Sequence, residues 1–318
     1  MLLIAGGLAL LIFGSGWLVD GSSSIARRLN VSDIVIGLTV VAFGTSSPEL
    51  VVNLIASFNG SADIAIGNVL GSNIFNVFVI LGITAVVMPV AVKNNTVWKE
   101  IPFSLLAVLV IFFVANDHII DSYPNSEISR ADGLVLLSFF SIFMAYTFIL
   151  AKQSGPLIEN EPETKTLSLS RAIIYIFAGL AGLFFGGRFL VDGAVAISRN
   201  IGLSESVIGL TVVAAGTSLP ELATSITAAM RKKSDIAIGN VVGSNIFNIF
   251  LILGLSATIR PLPFNESSNF DIGTALISTL MMFMIIFTRK GRKIDRLEGG
   301  ILFTSFIVYT VLILNQSR

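Results

Sequence analysis

Apolar residues run along this chain in stretches long enough to cross a bilayer, separated by short polar connections. A helix needs roughly 20 such residues to span. Ten stretches qualify: 2–26, 34–57, 64–88, 100–116, 132–151, 172–197, 206–229, 236–259, 270–288 and 298–315. Their length favours helices, because the strands of a membrane barrel are short and alternate. The first run starts at the N-terminus without a basic leader and continues to Asp20, so it reads as a span and not as a cleaved signal peptide. The expected architecture is an all-α integral membrane protein of ten transmembrane helices.

Composition agrees. Hydrophobic residues make up 54% of the 318 positions, charged residues only 13%, and mean hydropathy is +0.87. A soluble domain carries about 25% charged residues. There is no Cys and the net charge is zero, which excludes a disulfide scaffold and an electrostatic binder of nucleic acid.

The few charges orient the chain. Ten spans place fifteen Lys and Arg on one side (Arg27, Arg28, Lys93, Lys99, Lys152, Lys165, Arg171, Arg231 to Lys233, Arg289, Lys290, Arg292, Lys293, Arg296). Four lie on the other side (Arg130, Arg199, Arg260, Arg318), and Arg188 falls inside a span. The positive-inside rule makes the first side cytoplasmic and both termini external, in a multi-pass protein of the cell membrane. Residues 152–171 form a polar cytoplasmic linker whose acidic run, Glu159, Glu161 and Glu163, reads as solvated loop.

The chain is internally duplicated. Residues 20–89 align without a gap on 192–261, and 39 of the 70 pairs are identical. VIGLTVVAFGTSSPEL (35–50) meets VIGLTVVAAGTSLPEL (207–222), and DIAIGNVLGSNIFN (63–76) meets DIAIGNVVGSNIFN (235–248). This divides the protein into a five-span repeat (1–151), the linker, and a second five-span repeat (172–318). An odd number of spans inverts the second copy, the arrangement in which secondary transporters place their sites at the midplane between broken helices. Outside the block the halves differ, as lipid-facing helices need only be apolar.

Within the block, Gly44-Thr45-Ser46-Ser47-Pro48-Glu49 and Gly216-Thr217-Ser218-Leu219-Pro220-Glu221 lie at mid-span. Proline lacks an N–H and crowds the preceding turn, so the carbonyls of Ala42, Gly44 and Thr45, and of Ala214, Gly216 and Thr217, are expected to leave the helical ladder. Glu49 and Glu221 read as the only mid-span acids. Carboxylate, carbonyl and hydroxyl oxygens are ligands of hard cations such as Ca²⁺ and Na⁺. The competing reading is a protonated glutamic acid tying two helices together. No His or Cys stands near for a transition metal.

The second motif places Ser72 and Asn76, and Ser244 and Asn248, four residues apart on one helix face, able to complete an oxygen cage or to act as interhelical glue. Gly67 and Gly71, with Gly239 and Gly243, are expected to allow close helix contact. Asp63 and Asp235 read as helix N-caps, and Asp20 and Asp192 as interfacial caps or pairs, Arg188 standing four residues before Asp192. Trp17 and Trp98 suit the interface, and His118 is left without a role.

These motifs resemble the two α-repeats of the cation/Ca²⁺ antiporter superfamily, particularly prokaryotic Na⁺/Ca²⁺ exchangers. The resemblance implies a diamond of Glu49, Asn76, Glu221 and Asn248, with Ca²⁺ between the glutamates aided by the Thr45 and Thr217 carbonyls. It implies Na⁺ sites from the Ala42 carbonyl, Ser46, Ser244 and Glu49 on one side, and from the Ala214 carbonyl, Ser218, Ser72 and Glu221 on the other. Relatives that co-transport K⁺ carry Asp where Asn248 stands, and proton-coupled exchangers show GNAxE where this chain has GTSxPE. Both departures favour Na⁺ as the coupling ion, with proton coupling as runner-up and a cation channel behind it. Neither an enzyme activity, a cofactor nor an obligatory protein partner is implied; the partners are the two ions and the bilayer.

Overall fold

The computed structural model describes residues 2–122, 125–153, 167–200, 214–288 and 292–316. Helix α1 (Leu2–Arg28) is followed by α2 (Asp33–Thr45) and α3 (Ser47–Asn59), a bent pair, then α4 (Ala62–Val87) and α5 (Thr96–Val114). A short α6 (Asp117–Asp121) precedes α7 (Arg130–Gln153). The second half holds α8 (Leu169–Asn200), the interrupted α9 (Ala214–Thr217) and α10 (Leu219–Met230), α11 (Ser234–Ile259), α12 (Asn269–Ile285) and α13 (Arg296–Gln316). Among the described residues eight helices are long and apolar enough to span, nine if the bent α2–α3 pair counts as one. The remaining expected span, 206–229, is described only from Ala214, and most of the expected linker, 154–166 with Glu159, Glu161, Glu163 and Lys165, lies outside the described residues. So do Arg289, Lys290 and Arg318.

The polar connections tie together as the charge sorting requires. On one face strand β1 (Val90–Ala91) pairs with β4 (Lys293–Ile294), Lys93 meets Asp235 at 2.5 Å and Lys233 meets Asp33 at 3.0 Å. On the other, β2 (Glu127–Ile128) pairs with β3 (Leu262–Pro263). There Asn116 and Asn269 exchange amide hydrogen bonds, and His118 stands 3.6 Å from Glu266. His118, given no role from sequence, thus has an acidic partner.

Helices α1 and α8 pack antiparallel along glycines spaced seven apart. A Cβ at Gly7 would lie 2.8 Å from the Gly186 carbonyl, and one at Gly14 would lie 2.9 Å from that of Gly179. Only backbone fits between these helices. The core lies elsewhere, in α4 and α11. Their most apolar windows are 78% and 94% buried, against 17% for α7 and α13.

One expectation needs correction. Asp63 and Asp235 sit inside the first turns of α4 and α11, not at the N-cap: the caps are Ser61 and Lys233, neither making a side-chain capping bond. Asp235 instead pairs with Lys93. The glycine pairs also differ. Gly239 and Gly243 press on Gly37, Leu38 and Ala42, whereas no described residue lies within 4 Å of a Cβ at Gly67 or Gly71. The stretch that would pack there by repeat symmetry, 209–214, lies almost wholly outside the described residues. Asp20 and Asp192 pair as expected, Asp20 with Arg231 and Asp192 with Arg188 at 3.9 Å on an exposed face.

Candidate ion-binding site

The break in the first half falls at Ser46, whose ψ of 7° leaves the helical range and bends the pair by 49°. Ser46 N–H still donates to the Ala42 carbonyl (2.9 Å), and Leu50 N–H resumes the ladder at the Ser46 carbonyl (3.1 Å). Between them Pro48 offers no N–H to Gly44. The Ala42 carbonyl therefore keeps its helical bond, contrary to the expectation, and Thr45 Oγ1 also stands 3.4 Å from it. The second break repeats this at Ser218 (ψ 6°), with Leu222 N–H donating to the Ser218 carbonyl at 3.2 Å. Each break starts a new helix with Pro in its first turn and Glu one position later, so Glu49 and Glu221 stand at helix N-termini, where the backbone dipole favours negative charge.

The two breaks meet. Ser46 Oγ donates to Glu221 Oε1 at 3.0 Å and Ser218 Oγ to Glu49 Oε1 at 3.2 Å, so each half's serine holds the other half's carboxylate. The bonds run crosswise to the grouping that the resemblance implies, in which Ser46 goes with Glu49. Ser46 Oγ also lies 2.9 Å from Ser244 Oγ. Thr45 Oγ1 donates to Asn240 Oδ1 (3.0 Å), and Asn240 Nδ2 donates to the Glu221 carbonyl (3.2 Å) and Ser225 Oγ (2.9 Å), fastening α2 and α10 to α11. In the first half Asn68 donates to Asn53 Oδ1 (2.6 Å), whose own amide donates to the Ala65 carbonyl (2.9 Å). Asn68 and Asn240 are identical positions of the two copies, a signal in the sequence that had been given no role.

Helices α4 and α11 widen to π-helical turns at Asn76–Leu81 and Phe247–Leu253. Such wide turns recur at functional sites. Here they carry Asn76 and Asn248, and they pack crosswise against α10 and α3 respectively, the helices that start with Glu221 and Glu49. Ser72, Ser244, Thr45, Ser46 and Ser218 are buried with them, Thr217 partly so, and Ala214 opens α9. Glu49, Asn76, Glu221 and Asn248 are each 1% exposed.

Glu49 Oε2, Glu221 Oε2, Asn76 Oδ1 and Asn248 Oδ1 are buried acceptors without a hydrogen-bond donor. A buried polar group left unpaired costs about 1–3 kcal/mol, and these four lie on the two broken helices and the π-helical turns packed against them. Neutral and anionic oxygens without donors are what a hard cation needs. Among the described residues no group of three or more His, Cys, Asp and Glu could hold a metal. The two breaks offer instead two carboxylates plus neutral oxygens. Beside both breaks a cavity of about 280 Å³ is lined by Gly44, Thr45, Pro48 and Pro220 and covered by Leu180 and Phe184 of α8.

Two further acids in the spans lie near the starts of their helices, away from mid-span. Glu100, in the first turns of α5, is 1% exposed and accepts from Tyr146 Oη. Asp271 of α12 likewise accepts from Tyr309 Oη at 2.8 Å. Each ties a half's last two helices together, and neither touches the breaks.

Broken helices, inward-facing acids and donor-free oxygens define a membrane carrier of hard cations. A family model described as sodium/calcium exchanger protein matches residues 1–149 and 171–315, and the chain belongs to that family. It is 32% identical over 337 residues to sodium/calcium exchanger MaX1 of Methanosarcina acetivorans, covering 96% of each chain. It is 33% identical over 314 residues to inner membrane protein YrbG of Escherichia coli, covering 96% of this chain and 94% of the other. A solved structure of the sodium-calcium exchanger NCX_Mj, soaked with Na⁺ and Sr²⁺, superposes with TM-score 0.81 at 34% identity over 97% of both chains.

Proposed function

We propose that this protein exchanges Na⁺ for Ca²⁺ across the cell membrane by alternating access to one site, with inward Na⁺ driving Ca²⁺ out. The single observation that carries the reading is the set of four buried, donor-free oxygens on Glu49, Asn76, Glu221 and Asn248, at two facing helix breaks. Ca²⁺ sits between the glutamates, whose two charges it balances, with the Thr45 and Thr217 carbonyls as neutral ligands. Na⁺ sits to either side. One site uses the Ala42 carbonyl, Ser46, Ser244 and Glu49; the other uses the Ala214 carbonyl, Ser218, Ser72 and Glu221. The serine hydroxyls now engaged on the carboxylates turn to the ions when these bind.

Two ionised carboxylates without a cation are costly inside the membrane, where a single acid at the helix centre costs about 2.5–3.5 kcal/mol on insertion scales. That cost discourages return of the empty carrier and makes transport an exchange. Ten spans in two inverted repeats, cytoplasmic basic loops and external termini complete the topology. The antiparallel α1–α8 contact supports it, because Gly7 and Gly14 face the repeat equivalents of each other. The same pair, joined along backbone, is the element we assign to sliding over the core as a gate.

Proteoliposomes loaded with Na⁺ and given radiolabelled Ca²⁺ test the reading. Uptake should follow the Na⁺ gradient and ignore K⁺ and pH gradients. Uptake that follows pH and ignores Na⁺ would assign the protein to proton-coupled exchange, and flux without any counter-ion would make it a channel.

A further inference from the structure

Resting on the exchange reading, we propose that Asn73 and Asn245 are positioning residues that decide which face of each site amide meets the ion. An asparagine has an acceptor on one edge and two donors on the other. At a cation site the difference is total, since a reversed amide aims N–H groups at the ion. Asn76 and Asn248 therefore serve only in one orientation, and something must choose it.

The choice is made across the halves. Asn248 Nδ2 donates to Asn73 Oδ1 at 3.0 Å, and Asn76 Nδ2 donates to Asn245 Oδ1 at 2.9 Å. Both donors of the site are thereby turned away, leaving Asn248 Oδ1 and Asn76 Oδ1 buried without a donor. The orientation of Asn73 is itself fixed: its Nδ2 donates to the main-chain carbonyl of Asn245 at 3.2 Å, a group that can only accept. Its Oδ1 must then face Asn248, which must answer with its amide N–H. Asn73 and Asn245 are each 1% exposed, so no bulk water competes for these bonds. They are equivalent positions of the two copies, and each serves the other copy's ligand. Serine or glycine at position 73 cannot offer a fixed donor and a fixed acceptor together, as Asn73 does.

Position 248 supplies the test, because a carboxylate shows oxygen on either edge and has no wrong face. Ca²⁺ binding to the full-length protein in detergent would be measured by calorimetry for the unaltered chain, Asn73→Ala, Asn248→Asp and the double variant, with thermal unfolding followed in parallel. Asn73→Ala should weaken Ca²⁺ binding about tenfold or more while the unfolding midpoint moves little, and in the Asn248→Asp background the same change should cost less than about twofold. Equal losses in both backgrounds would reduce Asn73 to a packing residue and overturn the proposal. So would unchanged Ca²⁺ binding by Asn73→Ala in the unaltered background. Asn245→Ala with Asn76→Asp repeats the test in the other half. Failure of the exchange reading is separate: it shows as Na⁺-independent Ca²⁺ uptake by the unaltered chain.

Discussion

Helices α11 and α13 cross the same membrane, and they invert the pattern of a water-soluble fold. Protein buries 94% of the apolar window of α11 and 17% of that of α13. Yet α11 is the helix that carries buried Asn240, Ser244, Asn245 and Asn248, whereas α13 exposes Ile301, Ile307, Val308 and Val311. Lipid tails are as apolar as these side chains, so burying them gains little. What must be hidden from lipid is polarity, and helices rich in it gather at the centre. Once there many of them satisfy one another across helices, as Thr45 and Asn240 do. The comparison teaches that in this protein the inside is where the chemistry is kept and the outside only has to dissolve.

Substitutions at the centre and the rim should separate these roles. The largest effect is expected for Glu49→Gln and Glu221→Gln, each removing one of the two charges proposed to balance the divalent ion. Na⁺-driven Ca²⁺ uptake should fall on the order of 100-fold or more, with the protein still inserted and folded by size-exclusion chromatography. Next, Gly14→Leu forces side chain into a backbone contact, whereas Gly300 of α13 has nothing within 4 Å of an added Cβ. The first should abolish exchange and destabilise by about 1–3 kcal/mol or more, while Gly300→Ala should be neutral or stabilising by up to about 1 kcal/mol. Equal effects on transport would dissolve the distinction between gate and rim.

At the rim's own polar ties, Tyr146→Phe strands the Glu100 carboxylate and should cost about 1–3 kcal/mol in unfolding by denaturant, leaving the Na⁺ and Ca²⁺ half-saturation concentrations unchanged. A shift in either would bring Glu100 into the transport chemistry. The smallest effect is expected for Ser46→Ala, which deletes the bonds to Glu221 and Ser244 and one proposed Na⁺ ligand. Half-saturation for Na⁺ should rise about three- to tenfold, as for loss of a single polar interaction, with a smaller change for Ca²⁺.

Duplication made the centre legible in sequence. A single glutamate beside a proline in an apolar run is ambiguous; the same residues at the same offset in two halves point to one shared site. The long apolar runs and the sorting of basic residues put on a common side the loops that pair, Val90 with Ile294 on one and Ile128 with Leu262 on the other. What escaped was whatever the repeat does not mark. Glu100 and Tyr146 lie 46 residues apart and Asp271 and Tyr309 lie 38 apart, outside the matched block, with no local pattern to join them. Asp63 and Asp235 were misread because an acid before an apolar run suits a first helical turn as well as a cap. Asn73 and Asn245 were visible as identical residues, but their role depends on which amide edge faces the other half, and that is a property of the packed structure alone.

The account turns on where the divalent ion sits. Crystals of the full chain grown in Ca²⁺ and measured for anomalous scattering would locate it directly. The account predicts one dominant peak about 2.3–2.6 Å from Glu49 Oε2 and Glu221 Oε2, between the two helix breaks. A dominant peak elsewhere, at Glu100 or Asp271 for example, with the four central oxygens left bare, would contradict it.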